Sequence, residues 1–197
     1  MYTGFRQMIE IEKKFLIEPQ QRDALLATAK LEDIIRFTDV YWDDPDLALA
    51  RQDVWLRQRQ QAWQMKLPLD QQNQLTNQYQ ELVDEAEIAA WFGWPVGSVS
   101  LKQQLQAHGY APWVSYHTVR RHYKIGKFTI DLDETDFGYC LMEIELLVDS
   151  PDQAHQAEQE ILKLAQQYGL SHQPVRGKLL EYLTRFHPEQ LSLILLE

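Results

Sequence analysis

The sequence predicts an α+β protein in which antiparallel strands close into a barrel and helices cover the outer side of that barrel. Three observations support this prediction. Strand-like segments follow one another through short turns, as antiparallel neighbours do, without regular alternation with helices. Several of these segments place ionisable residues on one face and apolar residues on the other. Segments with a helical spacing of apolar residues are available to cover the apolar faces.

The composition indicates one domain that spans residues 1–197. With 197 residues, of which 45% are hydrophobic and 24% are charged, the chain can bury a substantial core without crosslinks. Cys140 is the single cysteine, which excludes a disulfide within the chain and favours a reducing, cytoplasmic setting. Because its neighbours in sequence are apolar, we expect Cys140 to be a packed thiol.

Charge and hydropathy argue against two classes of partner. The formal net charge of −10 would repel nucleic acid, although cations that converge locally can still bind a small anion. No apolar run approaches the roughly 18 residues of a membrane span. The opening stretch MYTGFRQMIE lacks the apolar region of a secretion signal. We therefore expect no nucleic acid partner and no membrane partner. We also expect a monomeric protein.

Strand patterns and turn residues divide the first half of the chain. After the first strand, which ends at Phe15, a helix begins at Pro19, because proline is favoured in the first turn of a helix. The further predicted elements are the rest of this helix to residue 30, a strand over 34–44, a hairpin over 48–67 that turns near 60–61, a Gln-rich loop over 70–77 and a strand over 78–83.

The second half of the chain contains helices on both sides of a run of strands. Acidic residues open a helix over 84–92, as the helix dipole favours, and Ser98 is the expected cap of a helix over 101–108. The remaining predicted elements are strands over 113–148, with turns at 125–126 and 135–138, and helices over 152–169, 177–186 and 188–197.

The opening strand shows why the charged faces need an explanation. Side chains alternate between the two faces of a strand, so Glu10, Glu12 and Lys14 share one face and apolar residues take the other. For a single strand, the ordinary explanation is a face exposed to water. The same separation recurs, however, in other strands. The residues that share a charged face there are Trp55, Arg57 and Arg59; Gln64 and Lys66; Tyr79 and Glu81; Asp131 and Asp133; and Glu143 and Glu145.

A barrel with a polar lumen explains both faces of these strands. On an open sheet exposed to water, we would expect Lys, Thr, Ser and Gln in mixed order, but here the charged residues cluster by sign and by strand. If the charged faces point inward, the apolar faces point outward and need a cover. The predicted helices supply that cover.

The chemistry of this predicted lumen points to a metal and a polyphosphate. Clustered carboxylates repel one another unless a cation neutralises them, and hard oxygen ligands suit Mg²⁺ or Mn²⁺. Guanidinium groups bind phosphate through two parallel hydrogen bonds. The cationic candidates are Lys14, Arg57, Arg59, Lys66 and Arg121. The acidic candidates are Glu10, Glu12, Glu81, Asp131, Glu143 and Glu145.

These residues resemble a known family. The pattern Glu10-x-Glu12-x-Lys14 is followed, in the expected order, by TDVYWDD, VWLRQR, WQMKL, QYQEL, IDLDETDFGYCLMEIELLV and GKLLEYLTRFHPEQL. This ordered set resembles the CYTH superfamily, the triphosphate tunnel metalloenzymes, and within it the thiamine triphosphatase branch. The resemblance runs from about residue 10 to residue 191. It implies an eight-stranded antiparallel tunnel that binds a triphosphate together with a divalent metal.

The resemblance also implies a role for each candidate residue. Lys14 and Tyr41 would activate the attacking water, and Trp55 would stack on thiamine. The residues implied to bind phosphate oxygens are Arg57, Arg59, Lys66, Arg121 and Lys178. The residues implied to surround the metal are Glu10, Glu12, Glu81, Asp131, Glu143 and Glu145, with Asp131, Glu143 and Glu145 as the direct ligands of one ion.

Some of these assignments also have support, or alternatives, in the residues themselves. Lys178 follows Gly177 at the start of a predicted helix, where the dipole disfavours a cation, so lysine and helix end together indicate an anion site. Of the two adjacent arginines Arg120 and Arg121, Arg121 is the one in phase with the family pattern. For Trp55, packing and substrate stacking are equally good explanations.

The expected function is Mg²⁺-dependent hydrolysis of thiamine triphosphate to thiamine diphosphate and phosphate. An inorganic triphosphatase of the same superfamily, acting on tripolyphosphate, is the main alternative, and there Trp55 would only pack. An adenylate cyclase of the superfamily and a non-catalytic polyphosphate-binding module are further alternatives. The acidic candidates and the pair of Lys14 and Tyr41 argue against the module, because a simple anion binder gains nothing from carboxylates.

Overall fold

The computed structural model describes residues 9–69, 77–97, 99–171 and 173–195. Its strands are β1 (Ile9–Phe15), β2 (Lys30–Asp43), β3 (Trp55–Arg59), β4 (Ala62–Pro68), β5 (Asn77–Leu82), β6 (Ala111–Ile125), β7 (Phe128–Thr135) and β8 (Cys140–Val148). They close into a barrel in the order β1-β5-β4-β3-β2-β6-β7-β8, and every neighbouring pair is antiparallel. The predicted α+β barrel is therefore confirmed.

Helices cover the outside and one end of the barrel. They are α1 (Pro19–Leu26), α2 (Glu85–Trp91), α3 (Leu101–Ala107), α4 (Ala154–Gln167), α5 (Lys178–Phe186) and α6 (Pro188–Leu195). Short 3₁₀ turns lie at Ala50–Gln52 and Pro151–Gln153. None of the helices in the described part of the chain has the length and the apolar composition that a membrane span needs.

Local sequence signals explain where several elements begin and turn. Gly126, with φ of +56°, makes the tight connection between β6 and β7, in a backbone region that residues with a Cβ rarely adopt. The N-cap of α3 is Ser100, whose hydroxyl accepts a hydrogen bond from the Gln103 backbone at 3.3 Å. The predicted cap, Ser98, and most of the predicted Gln-rich loop, residues 70–76, lie outside the described residues.

Three clusters of buried apolar residues pack the outer faces of the strands and one end of the barrel. The first lies between β1, β7, β8 and the helices α1 and α4, and includes Ile11 and Ile161. The second lies under α2 and α3. The third joins Tyr41 and Tyr116 of the barrel to Leu183 of α5, and this contact brings the start of α5 to the lumen. The outward apolar faces are thus covered by helices, as predicted.

Cys140 differs from its prediction. It is the first residue of β8 and is exposed, because it lies at the end of the strand opposite the exposed Glu134. The expectation of a packed thiol is therefore wrong.

Candidate active site: the charged lumen of the barrel

The charged faces of the strands point into the barrel and line a cavity of about 940 Å³. All but two of the predicted site residues line this cavity. The predicted residues that line it are Glu10, Glu12, Lys14, Tyr41, Trp55, Arg57, Arg59, Lys66, Glu81, Glu143, Glu145 and Lys178. Asp131 lies behind the lining with an exposed fraction of 1%, and Arg121 lies elsewhere.

The register of the strands brings the carboxylates together. Residues directly opposite each other in an antiparallel pair point to the same face. Glu145 lies opposite Glu12, and Glu143 lies opposite Lys14 on one side and Asp131 on the other. The barrel thus places acidic residues from three strands, far apart in sequence, on one wall of the lumen. We call Glu10, Glu12, Asp131, Glu143 and Glu145 the acidic wall.

The acidic wall contains two overlapping triads of carboxylates. One consists of Glu10, Glu12 and Glu145, and the other of Asp131, Glu143 and Glu145, with one oxygen from each residue within 4.8 Å of the others in its triad. A set of hard oxygen donors at this spacing fits a divalent cation such as Mg²⁺ or Mn²⁺. Glu145 belongs to both triads, so a cation in either position would contact it.

The electrostatics of Glu145 support this fit. Burial raises the pKa of Glu145 well above its ordinary value, and the neighbouring carboxylates of Glu10, Glu143 and Asp131 raise it further. No ion pair to Glu145 is found among the described residues. The ionised form of this carboxylate is therefore unfavourable until a cation neutralises it.

Glu143 and Glu12 are in the opposite situation. Burial alone would raise the pKa of Glu143, but Lys178, Arg120 and Lys14 lower it well below the ordinary range. Burial also opposes ionisation of Glu12, whose pKa is nevertheless lowered by Lys14 and Lys66. The acidic wall thus combines carboxylates held ionised by fixed cations with one carboxylate that lacks such a partner.

Arginines and a lysine line the opposite side of the lumen. Arg57 and Arg59 project from β3 and Lys66 projects from β4, and we call these three residues the basic wall. Nε of Arg57 donates to Oε1 of Gln64 at 2.8 Å, and its guanidinium lies 3.9 Å from Glu81. Nζ of Lys66 donates to Glu10 at 2.5 Å, which links the two walls. These cations lie where an anion in the lumen would contact them.

Arg120, and not Arg121, faces the lumen. Arg120 donates to Asp133 through Nε and Nη2, at 2.7 Å each, and to Glu143 at 2.7 Å, and it also pairs with Asp131. Arg121 points outward and pairs with Glu134 at 2.7 Å on the surface. The prediction that Arg121 lies in the lumen is therefore wrong.

The register of the β6–β7 hairpin is the physical reason for this correction. The tight turn at Gly126 pairs Ile125 with Phe128, which places Arg120 opposite Asp133 and Arg121 opposite Leu132. Since Asp133 faces inward, Arg120 must face inward too. Counting back from the predicted turn would have identified Arg120 from the sequence.

Lys14 is held as an ammonium ion. Burial alone would lower the pKa of Lys14, but Glu12 and Glu143 raise it well above its ordinary value. Lys14 pairs with Glu12 and donates to Asn77 at 3.2 Å. A Cβ atom on Gly177 would come within 3.3 Å of Cε of Lys14, so this glycine leaves room for the lysine stem. Lys14 is therefore poised to stabilise negative charge and is poorly suited to accept a proton.

Tyr41 lies across the lumen from Lys14, beside the basic wall. It is buried, its hydroxyl accepts a hydrogen bond from the Tyr116 hydroxyl at 3.2 Å, and it also contacts the Arg57 guanidinium. Tyr116, which sequence reasoning missed, is completely buried, and this burial raises its pKa well above the ordinary value. The hydrogen bond from Tyr116 therefore fixes the Tyr41 hydroxyl at the wall of the cavity.

Trp55 is held at the cavity surface by Asp53, a residue that sequence reasoning also missed. Its indole N–H donates to Oδ1 of Asp53 at 2.8 Å, and the Tyr79 hydroxyl donates to the same carboxylate at 3.0 Å. Trp55 also packs against the cluster that joins the barrel to α5. It therefore has a packing role as well as a surface open to the lumen.

Lys178 enters the lumen from the first residue of α5. Its side chain is buried, pairs with Asp133 and lies 4.0 Å from Glu143. The predicted position at a helix start is confirmed, since Gly177 is the N-cap of α5. The structure thus joins Lys178 to Arg120 through a shared carboxylate that no local pattern links to either cation.

Comparison with known proteins identifies the family. Residues 8–174 match the sequence profile of the CYTH domain. The chain belongs to the CYTH family. Thiamine-triphosphatase of Homo sapiens is 30% identical over 210 residues, a match that covers 95% of this chain and 90% of the relative. The enzyme of the same name from Macaca fascicularis matches to the same extent. These matches confirm the expected family and the expectation that the chain is an enzyme.

Solved structures with the CYTH barrel agree on the fold. A protein of Pyrococcus horikoshii OT3 superposes with a TM-score of 0.65 at 18% identity, covering 89% of this chain and 99% of the other. A Hippeastrum protein, whose structure was described with a dominant triphosphatase activity, superposes with a TM-score of 0.57 at 15% identity, covering 90% and 95%. At these identities the similarity establishes the fold alone.

Proposed function

We propose that this CYTH protein is a divalent-cation-dependent triphosphatase and that thiamine triphosphate is its first organic substrate to test. One observation carries the proposal: a single cavity has carboxylate triads on one wall and cations on the other. A triphosphate is a flexible polyanion that a divalent cation can hold on one side while guanidinium and ammonium groups hold it on the other. The arrangement provides both sets of contacts.

The cations of the lumen would bind the phosphates. Arg57, Arg59 and Lys66 contribute from the basic wall, and Arg120 and Lys178 contribute from the side nearest the acidic wall. Charge spreads over the terminal phosphoryl oxygens as the P–O bond breaks, and fixed cations lower the free energy of that state. In this proposal Arg120 takes the place that the sequence prediction gave to Arg121.

The acidic wall would hold the metal. Asp131, Glu143 and Glu145 would ligate one cation, and Glu10 and Glu12 would approach a second one that shares Glu145. A bound Mg²⁺ or Mn²⁺ would supply positive charge that orients and polarises the triphosphate. Glu81 belongs to neither triad and would act through its contact with Arg57.

Lys14 and Tyr41 would orient the attacking water. Because Glu12 and Glu143 hold Lys14 protonated, the Lys14 ammonium donates hydrogen bonds to the water or to the terminal phosphate. The Tyr41 hydroxyl, fixed by Tyr116, would bind the same water and pass its proton to an oxygen of the triphosphate, so that the proton leaves with the products. The attack breaks the terminal P–O bond and yields a diphosphate and inorganic phosphate.

The preference for thiamine rests on Trp55 and on the relatives. The indole, held by Asp53, offers a surface on which a cationic thiazolium ring could stack. The relatives at 30% identity over most of the chain bear the name thiamine-triphosphatase. A cytoplasmic setting, a monomeric state and a single domain over 1–197 stay predictions of the sequence.

A screen of phosphate release tests the proposal. The purified protein is incubated with thiamine triphosphate, tripolyphosphate or ATP, in Mg²⁺, in Mn²⁺ and in EDTA. We expect release from thiamine triphosphate with either metal and none in EDTA. Faster release from tripolyphosphate would favour the inorganic triphosphatase. Formation of cyclic AMP and pyrophosphate from ATP would favour the cyclase, and binding without release would favour the non-catalytic module.

A further inference from the structure

Strand β2 separates the arginines of the lumen. It lies between β3, which carries Arg57 and Arg59, and β6, which carries Arg120. Three guanidinium groups around one strand repel one another, and each can adopt many rotamers. Carboxylates of β7 and β8 compensate Arg120, so the inner face of β2 is the place to look for a partner of Arg57 and Arg59. That face presents Phe37 and Asp39, which are two residues apart and so share one side of the strand.

Asp39 is a buried carboxylate shared by two arginines. Its exposed fraction is 0%, and it lies directly opposite Arg59 in the β2–β3 ladder. Nε and Nη2 of Arg59 donate to its two oxygens at 2.8 and 3.1 Å, and Nη1 of Arg57 lies 3.7 Å from it. Burial alone would raise the pKa of Asp39, but Arg57 and Arg59 lower it. Asp39 is therefore an ionised partner of both arginines.

Phe37 supports the same guanidinium from another direction. Cζ of Arg59 lies 3.8 Å from the centroid of the Phe37 ring, within the range of a cation–π contact. Cζ of Arg120, from the other side of β2, lies 5.7 Å from the same centroid. The ring is 5% exposed, so it offers a fixed surface between two cations. Arg59 is thus held in its plane by Asp39 and on its face by Phe37.

This geometry leaves part of Arg59 available for a ligand. The paired contact with Asp39 uses Nε and Nη2, and no hydrogen bond from Nη1 of Arg59 is found among the described residues. Asp39 belongs to neither carboxylate triad of the acidic wall. The paired contact with Asp39 fixes the plane of the Arg59 guanidinium and the position of its Nη1, which is more than stabilisation of the barrel requires.

We propose that Phe37 and Asp39 are positioning residues that hold Arg59 and Arg57 in the orientation that binds a triphosphate. The inference rests on the proposed function, because it concerns the same lumen. Neither residue touches the reacting atoms in this proposal. Each acts through the arginines by reducing the number of conformations that must be lost when the polyanion binds.

The test measures binding and turnover of tripolyphosphate by Asp39→Asn, which keeps the shape of the side chain and removes its charge. We expect KM, and the Kd in EDTA by calorimetry, to rise about 10- to 100-fold, as is usual when an outer partner of a binding residue is lost. The Mn²⁺ concentration needed for half-maximal activity should stay unchanged, because the carboxylate triads are intact. An unchanged Kd would overturn the inference, and so would tighter binding, which would make Asp39 a competitor of the ligand.

Glu158→Gln is the matched control for stability. Glu158 is a buried carboxylate on α4 whose charge acts on Lys13, on the outer side of the barrel. Its loss should lower the thermal midpoint as Asp39→Asn does, without changing the Kd for tripolyphosphate. If both variants weaken binding equally, the effect is one of general stability and the positioning role is refuted.

Phe37→Leu provides a second variant if Asp39→Asn does not fold. It keeps an apolar side chain and removes the ring beneath the guanidinium, so we expect Kd to rise about 3- to 30-fold, the equivalent of a cation–π contact. The effects of Asp39→Asn and Arg59→Ala should be strongly non-additive, since both act through one side chain. Full additivity would contradict the inference. If the wild type neither binds nor hydrolyses a triphosphate, the proposed function itself fails.

Discussion

The acidic wall, built on β1, β7 and β8, and the basic wall, built on β3 and β4, bury charge in different ways. Each cation of the basic wall lies near a carboxylate of the chain itself, at 3.7 Å for Arg57, 2.8 Å for Arg59 and 2.5 Å for Lys66. On the acidic wall, Glu145 has no such partner among the described residues and its pKa is raised.

The difference indicates what each wall needs from a ligand. The cations of the basic wall are already paired with carboxylates of the chain, so an anion that binds beside those pairs meets charge that is partly compensated, and the gain is modest. On the acidic wall, Glu145 has no ion pair among the described residues, so a divalent cation beside it removes repulsion that the chain does not compensate. We therefore expect substitutions on the acidic wall to act mainly through the metal, and those on the basic wall mainly through the substrate.

The largest expected effect comes from breaking the acidic wall at Glu143. Glu143→Gln removes one ligand charge from a triad, and we expect kcat/KM to fall by more than about 100-fold, beyond the usual loss for an outer-shell residue. The Mg²⁺ requirement should shift to higher concentration, measured by phosphate release over a metal titration. Glu134→Gln, on the outer face of β7, is the control. Full turnover of the wild type in EDTA would refute the role of a metal.

Substitutions at Lys14 and Tyr41, which lie on either side of the lumen, should rank next. Lys14→Ala and Tyr41→Phe should each lower kcat roughly 10²-fold, the usual contribution of a side chain that assists proton transfer. If Lys14 were the proton acceptor, kcat would rise with pH up to the raised pKa of this residue. We expect no such rise between about pH 7 and 10, measured on thiamine triphosphate. A wild-type rate in Tyr41→Phe would exclude that tyrosine.

Arg120 and Arg121 offer an internal comparison between the lumen and the surface. Arg120→Ala removes a guanidinium from the lumen, and we expect kcat/KM to fall about 10- to 100-fold, the equivalent of one or two hydrogen bonds to a charged group. Arg121→Ala should change it by less than about twofold, as is usual for an exposed ion pair. The measurement is steady-state hydrolysis of tripolyphosphate. A larger effect at Arg121 would mean that the β6 register is different.

Trp55→Ala separates recognition of the organic group from recognition of the phosphates. We expect KM for thiamine triphosphate to rise about 3- to 30-fold, following the energy range of a cation–π contact. Hydrolysis of tripolyphosphate, which has no ring, should change little. Equal losses on the two substrates would make Trp55 a packing residue, in keeping with its contacts to the cluster beside α5.

The smallest expected effect is a gain in stability. Because the pKa of Glu145 is raised in the folded state, its ionisation costs stability as pH rises above the ordinary value of 4.5. In EDTA at pH 7, Glu145→Gln should therefore raise the thermal midpoint, by about 2–4 °C for each kcal/mol by which the free energy of unfolding increases. The gain should fade as pH falls towards 4.5, and Mg²⁺ should stabilise the wild type more than the variant. A lower midpoint in EDTA would show that Glu145 is compensated.

Much of the fold and the site could be predicted, because both depend on patterns of short period. Alternation along β1 assigned Glu10, Glu12 and Lys14 to one face, and the same rule applied to β3, β4 and β8. Asp133 was visible in that pattern beside Asp131, and Asp39 lies two residues before Tyr41 on β2. Neither was included among the candidates, since alternation alone does not distinguish a ligand-binding carboxylate from a counterion.

The sequence by itself determined the α+β class, the inward charge of the strands and the approximate strand limits, because each depends on residues that are close along the chain. Only the tertiary structure decided which charges meet. Lys178 reaches Asp133 because α5 packs on the end of the barrel. The acidic triads exist because closure of the barrel brings β1 beside β8. Such pairings depend on how distant strands align, which the local period of a single strand cannot specify.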